Sequence, residues 1–292
     1  MTLDLHIDLP WIFYKHGEFN LEKGNTNSQI SIPMMKSGKL DNAIFALYLS
    51  DGVQDCVGEE LAYNSIAFEG IAVRKQLPNA MFSLEGGRLI GEDLKKLEAL
   101  KDFFDIKYLT LTHNKTTSWA DSATDTAKHS GLSQFGKTVV ESCEALGILV
   151  DVSHASDLTA WDVILLQTKP VIASHSGCRS LVDRPRNLPD NLITSIADTG
   201  GLVGVPFAQR FIGPDRRDVI SHINHIVQLT GSCDHVAIGS DLDGAVMVEG
   251  VWSVSNWGEV VLDGLSNEGY ADEQIEKIAG GNMLRLMDEV KK

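Results

Sequence analysis

The sequence predicts an α/β fold, a (β/α)8 TIM barrel with a metal site at the C-terminal ends of its strands. Three observations carry that expectation. Short apolar runs rich in β-branched residues recur along the chain, and six of them close on a histidine, aspartate or glutamate. Such runs, bounded by glycine or polar residues, read as buried parallel strands. They alternate with helical stretches at roughly 25 to 45 residues per unit, the spacing of this barrel. No Gly-x-Gly-x-x-Gly turn follows any strand, which disfavours a doubly wound open sheet.

The first strand, Leu3 to Ile7, ends in His6-Ile7-Asp8. Residues two apart on a strand share a face, so His6 and Asp8 converge and can hold one metal ion. The polar stretch from Trp11 to Leu40 reads as a surface loop over the barrel mouth. Asn42 to Leu49 is the second strand, and 59–76 has helical spacing through Leu61, Ile66, Ile71 and Val73. The third strand, Ala80 to Leu84, closes on Glu85-Gly86-Gly87, where two glycines allow a sharp turn and a close approach to a ligand.

An amphipathic helix over Gly91 to Phe104 is expected to bury Leu94, Leu97, Leu100 and Phe103. Strand four, from Tyr108, delivers His113. The long polar connection Thr116 to Ser130 reads as functional or mobile. Ser133 and Gly147 suit the start and stop of a helix burying Phe135, Val139, Val140 and Leu146. Strand five delivers Asp151 and His154, and Ser156 caps the helix that follows. Strand six, Val171 to Ala173, delivers His175, and a loop with Arg179, Arg184 and Arg186 comes next. The helix 192–197, strand seven (202–205), the helix 218–229 and strand eight (235–238) lead to Ser240-Asp241-Leu242-Asp243-Gly244. Two helices, 272–278 and 282–290, finish the chain.

The 292 residues fit one barrel domain over 1–292, and 43% hydrophobic with 22% charged residues is ordinary for a globular protein. A net charge of −15 argues against nucleic acid or an anionic membrane as partner. A homodimer is compatible with everything in the sequence. Cys56, Cys143, Cys178 and Cys233 form no C-x-x-C pair and read as free thiols of a reducing compartment. Met1-Thr2-Leu3-Asp4 has no basic leader character, and no apolar run approaches the roughly 18 to 20 residues of a membrane span. The expected location is cytoplasmic.

Three histidines and three carboxylates at one rim suit two divalent ions such as zinc. Two ions roughly 3.5 to 4 Å apart need one bridging carboxylate. His6, Asp8 and Asp241 are assigned to one ion, His154 and His175 to the other, and Glu85 to both. His222 and His225 share a helix face that reads as surface. His16, His129 and His235 lack any partner pattern. Asp4 and Asp151 are placed to orient a ligand histidine from behind. Lys115 is not needed as a bridge, because Glu85 supplies one.

From His6-Ile7-Asp8-Leu9-Pro10 to Gly281-Asn282-Met283-Leu284-Arg285, the chain resembles the membrane (renal) dipeptidase family of the amidohydrolase superfamily. Between those ends lie Glu85-Gly86-Gly87, Leu109 to Asn114, Trp119 to Ser122, Leu149 to His154, Ser174-His175-Ser176, Arg186-Asn187 with Asp190, and Ser240 to Gly244. The resemblance implies a barrel with two Zn2+ ions per chain that hydrolyses free dipeptides, with the ligand set assigned above. It also implies that His113 binds the scissile carbonyl or its oxyanion and that Arg186, beside Asn187, takes the substrate carboxylate. Two metals would bring the pKa of a bridging water from 15.7 toward about 7. Asp241 could move that water's proton to the leaving amine, with Glu85 holding both ions. The segment Ala245 to Trp257 follows the family pattern only loosely. Rival expectations are another binuclear-metal amidohydrolase acting on cyclic amides, lactones or N-acyl amino acids, and a non-catalytic binding barrel.

Overall fold

The computed structural model describes the backbone of residues 1–51 and 56–290, and their side chains apart from 56–63 and 65. Cys56 and Leu61, as side chains, therefore lie outside the described residues. The β-branched and aromatic runs form β1 (Leu3–Ile7), β2 (Asn42–Tyr48), β3 (Met81–Glu85), β4 (Tyr108–Thr110), β5 (Leu149–Asp151), β6 (Val171–Ala173), β7 (Leu202–Val205) and β8 (Val236–Ile238). Each pairs in parallel with the next, in chain order. The ring closes where β1 meets the segment after β8. There the Asp8 N–H donates to the Leu242 carbonyl (2.9 Å) and the Asp241 N–H to the His6 carbonyl (3.1 Å). This is the (β/α)8 barrel that the alternation predicts.

Parallel neighbours need crossovers, and helices supply them. They are α1 (Leu9–His16), α2 (Ile32–Ser37), α3 (Cys56–Gln76), α4 (Leu94–Phe104), α5 (Gln134–Ala145), α6 (Asp157–Leu166), α7 (Asp190–Asp198), α8 (Gln209–Ile212) and α9 (Arg217–Thr230). The short α10 (Gly264–Asn267), α11 (Asp272–Glu276) and α12 (Asn282–Glu289) follow. Ser133 and Ser156 cap α5 and α6 as expected, accepting from the N–H groups of Gly136 and Thr159. Each such cap is worth about 1 kcal/mol. Among the described residues, no helix is long and apolar enough to cross a membrane.

Three expectations are corrected. The stretch from Trp11 to Leu40 is not simply a loop, for α1 and α2 lie within it. Pro10 sits in the first turn of α1, where its missing N–H costs nothing, and Ile12 and Phe13 are buried. In α4 it is Phe104 (2% exposed), not Phe103 (57%), that faces the core, because a seven-residue step from Leu97 keeps the inner face better than six. The connection 116–130, expected to be functional or mobile, is braced by Asp121, which accepts from the N–H groups of Lys128, His129 and Gly131. His222 is buried, not on a surface face. Its Nδ1 accepts from the Cys178 N–H (2.8 Å) and its Nε2 bonds the Ile212 carbonyl, tying the loop after β6 and the end of α8 to α9.

The barrel interior is a separate apolar layer of Leu3, Leu5, Ile44, Tyr108, Leu149, Ile172, Leu202 and Ala237. Met283, Leu286 and Met287 of α12 pack against it, away from the rim that carries His154, His175 and Asp241. The β1–β2 register slips between Asp4 and Ile7. One extra residue reverses the inside–outside alternation, so Leu5 faces the interior layer while His6 and Asp8 also face inward further along.

At the rim the interior narrows. A Cβ added at Gly204 or Gly239 would run into the Ser174 carbonyl oxygen, so β7 and the end of β8 can approach β6 only as glycine. Overpacking at such a place costs about 1–3 kcal/mol or more. Gly204→Ala is expected to lower stability in urea melts by at least that amount. An unchanged midpoint would show that the barrel can dilate there at no cost.

Candidate metal centre

The strand ends bring all six expected ligands to one buried floor. His6 and Asp8 come from the end of β1 and Glu85 is the last residue of β3. His154, His175 and Asp241 lie two or three residues beyond β5, β6 and β8. A single oxygen, Glu85 Oε1, lies 3.5 Å from His6 Nε2, 3.3 Å from His154 Nε2 and 3.7 Å from His175 Nε2. Asp8 Oδ2 is 3.7 Å from His6 Nε2, and the two Nε2 atoms of His154 and His175 are 3.0 Å apart. Three overlapping groups have ligand atoms within 4.8 Å of one another: His6 with His175 and Asp241, His6 with Asp8 and Glu85, and Glu85 with His113 and His154. His113, expected as a donor to substrate, thus also stands within ligand range.

The backbone bends to make this floor. His154 (φ +66°), Asp241 (φ +63°) and Asp243 (φ +68°) adopt the left-handed conformation, which His and Asp tolerate better than most residues. Such turns cluster where a site over-determines the chain. A Cβ at Gly244 would collide with carboxylate oxygens of Asp8 and Asp241, so the glycine lets those carboxylates meet.

Bonds behind the ligands fix which nitrogen faces the floor. The Tyr108 hydroxyl donates to the Leu5 carbonyl (2.7 Å), so at 2.8 Å it must accept from His6 Nδ1–H. His6 then presents Nε2, which is buried with no hydrogen-bond partner. The Ser174 hydroxyl donates to Asp151 Oδ2 (2.6 Å) and therefore accepts from His175 Nδ1–H (2.8 Å), leaving His175 Nε2 for the floor as well. Asp151 orients its histidine through Ser174. Asp4 acts on backbone instead, accepting from the His6 and Ser240 N–H groups and from Trp257 Nε1–H.

The electrostatics call for a cation. Burial lowers His154 and His175 well below the usual histidine range, so they offer lone pairs. Burial, then the neighbouring Glu85, raises Asp8 well above the usual carboxylate range, and Asp241 is pushed up to about 6 for the same reasons. Burial would lower His6 too, but Tyr108, Glu85 and Asp8 raise it well above its ordinary value. Crowded carboxylates and an orphaned imidazole nitrogen are what a bound divalent ion would satisfy. The donor set fits the expected metals.

Above the floor opens a cavity of about 430 Å³, lined by Asp8, Trp11, Tyr48, Glu85, His113, Asn114, His154, Arg210, Phe211, Asp241 and Gly244 to Val246. That volume suits a small organic ligand. Arg186 is 5% exposed and does not line the cavity. Its guanidinium lies over the Phe211 ring (5.1 Å) and makes only long bonds, to Ser176 Oγ (3.4 Å) and the His175 carbonyl (3.3 Å), with Nε unpartnered. Burial lowers it to about 10 against the pull of Asp241 and Glu85. Asn187 is spent: it accepts from the Gly177 N–H and donates to the Val182 and Phe211 carbonyls, bracing the loop that carries Arg186. Lys115 is exposed, 3.7 Å from Asp125.

Sequence reasoning missed Asp51, whose Oδ2 is 2.6 Å from His113 Nδ1, and Tyr108, which holds His6. Neither residue sits in a spacing pattern with its histidine. It also missed Trp11, Tyr48, Arg210 and Phe211 as cavity walls.

The model of the family described as membrane dipeptidase (Peptidase family M19) matches residues 1–292. Rat dipeptidase 3 is 28% identical over 321 aligned residues, covering 99% of this chain and 64% of its own length. An uncharacterized dipeptidase of Schizosaccharomyces pombe is 35% identical over 196 residues, 64% of this chain and 48% of its own. The chain thus spans about half to two thirds of those relatives. Among solved structures, the probable dipeptidase PvdM of Pseudomonas aeruginosa superposes with a TM-score of 0.89 at 22% identity, covering 100% of this chain and 95% of that one. A metallo peptidase of Rhodobacter sphaeroides, liganded with a phosphinate mimic of L-Ala-D-Ala, gives 0.86 at 21%, covering 99% of each. At these identities the structural likeness speaks to the fold.

Because His6 is raised in the metal-free site, its proton stabilises that state at low pH and is lost as pH rises through the folded value. Metal must displace it. Zinc uptake by chelator-treated protein is expected to release at least about one proton per chain at pH 7, with affinity rising with pH. Calorimetry in two buffers of different ionisation enthalpy measures this, and zero release would show that His6 is already neutral before metal binds.

Proposed function

Because this chain belongs to the membrane dipeptidase family, we propose that it is a zinc-dependent dipeptidase that splits the peptide bond of free dipeptides, with 1–292 as one catalytic domain. The observation that carries the reading is Glu85 Oε1 facing three imidazole nitrogens on the floor of a cavity. In this reading His6, Asp8 and Asp241 would hold one ion, His154 and His175 the other, and Glu85 would serve both. Bound metal would supply Lewis acidity and lower the pKa of a water at the site from 15.7 toward about 7. The free thiols of Cys143, Cys178 and Cys233 favour a reducing cytoplasm.

The chain's own groups do the rest. Asp241, on the cavity floor with Asp8 and Glu85, is placed to accept the water's proton and pass it to the leaving amine. Asp51 holds the His113 ring by Nδ1 and so turns its other edge to the cavity, where it would meet the carbonyl oxygen as it becomes an oxyanion. Arg186 draws the substrate's carboxylate to the side of the cavity bounded by Phe211. The grouping of His113 with Glu85 and His154 favours a second reading of that one residue, as a metal ligand.

Elemental analysis of protein purified without chelator is expected to find about two divalent ions per chain, and chelation should abolish dipeptidase activity until zinc is restored. His113→Asn separates the two readings of that residue. It should keep the metal content and lower kcat about a hundredfold. A variant that sheds an ion makes His113 a ligand.

Arg186→Met should raise KM for free dipeptides roughly ten- to hundredfold, the weight of a charge-assisted hydrogen bond. Dipeptide amides should be poor substrates of the unmutated protein. Equal turnover of acids and amides would take the carboxylate role from Arg186.

A further inference from the structure

Among the described residues, Arg210 is the arginine that lines the cavity. It lies in α8, just beyond β7, is exposed, and lines the cavity. Arg179 is held by Asp157 (2.6 and 2.7 Å), Arg216 pairs with Glu259 and Arg217 with Asp215. Among the described residues the Arg210 guanidinium has no hydrogen bond and no ion pair, in a chain of net charge −15. The three carboxylates that share its cavity, Asp8, Glu85 and Asp241, are gathered on the floor about the histidines. The cavity wall therefore carries one uncommitted cation.

Its neighbour decides which part of a substrate it would meet. Phe211 lines the cavity and carries the Arg186 guanidinium 5.1 Å from its ring centre. Arg210 and Arg186 thus both neighbour Phe211, the first in the chain and on the cavity lining, the second across its ring. If Arg186 takes the main-chain carboxylate, Arg210 stands beside the side chain of that same terminal residue.

We infer that Arg210 binds a second carboxylate of the substrate, so that the enzyme selects dipeptides whose C-terminal residue is aspartate or glutamate. This rests on the dipeptidase reading above. An arginine forms directed, paired hydrogen bonds to a carboxylate, and a carboxamide of the same shape gives it no charge to bind. Partial exposure to solvent holds the gain below that of a buried pair.

The test compares kcat/KM of the metal-loaded full chain for Ala-Glu and Ala-Asp with that for Ala-Gln and Ala-Asn. The acids should be favoured roughly five- to tenfold. Arg210→Met should bring the ratio near one, Arg210→Glu should push it below one, and Arg210→Lys should keep part of it. Calorimetric titration with free glutamate and glutamine reads the same preference without turnover, and Arg210→Met should erase the difference. A ratio unchanged by Arg210→Met overturns the inference. So does a KM that rises equally for acids and amides, which would make Arg210 the main-chain clamp. If Ala-Gln is cleaved with no acid preference, only the Arg210 assignment fails. If no dipeptide is cleaved, the dipeptidase reading fails, and the glutamate titration still decides Arg210.

Discussion

The rest of the structure depends on one electrostatic constraint: three carboxylates and three imidazoles are held against each other out of water. Charges and lone pairs so placed repel or go unsatisfied, and each unpaired buried polar group costs on the order of 1–3 kcal/mol. A fold tolerates this only if its frame is rigid. The frame here is local and specific. The register slip in β1 turns His6 inward, Tyr108 and the Ser174–Asp151 pair fix the outward nitrogens, and Gly244 lets Asp8 and Asp241 approach. The apolar layer beneath, closed by α12, gives these groups a firm seat.

The strands and their order were legible because a buried parallel strand has a signature that survives without context: a short apolar run with a polar residue at its end. The convergence of the six candidate ligands was legible for the same reason, since a strand end in this architecture has one destination. Tyr108 was read only as strand, although it decides the tautomer of His6 from 102 positions away. No spacing rule joins two residues that meet across a barrel. Asp51 escaped notice likewise, and α1 was hidden by a proline whose place in a first turn looks, in sequence, like an interruption.

Arg186 shows where motif and geometry divide the information. The motif picks out Arg186 and Asn187 together, yet the structure gives them different work. Asn187 uses its whole amide on the loop, while Arg186 keeps an unpartnered Nε over Phe211. Adjacency in sequence made them look alike. Their hydrogen bonds, which depend on where β6 and β7 lead, separate them.

The seam of the barrel has a consequence for biosynthesis. Its closing bonds join His6 and Asp8 to Asp241 and Leu242, and Asp4 bonds Ser240 across 236 positions. A ribosome making this chain from its amino end must add Asp241 before the first strand has a last strand to meet. Until then His6 and Asp8 lack the backbone bonds that join them to Asp241 and Leu242. If these residues hold metal as proposed, tight capture marks a finished ring, and nascent chains pass most of their elongation with low affinity for the ion.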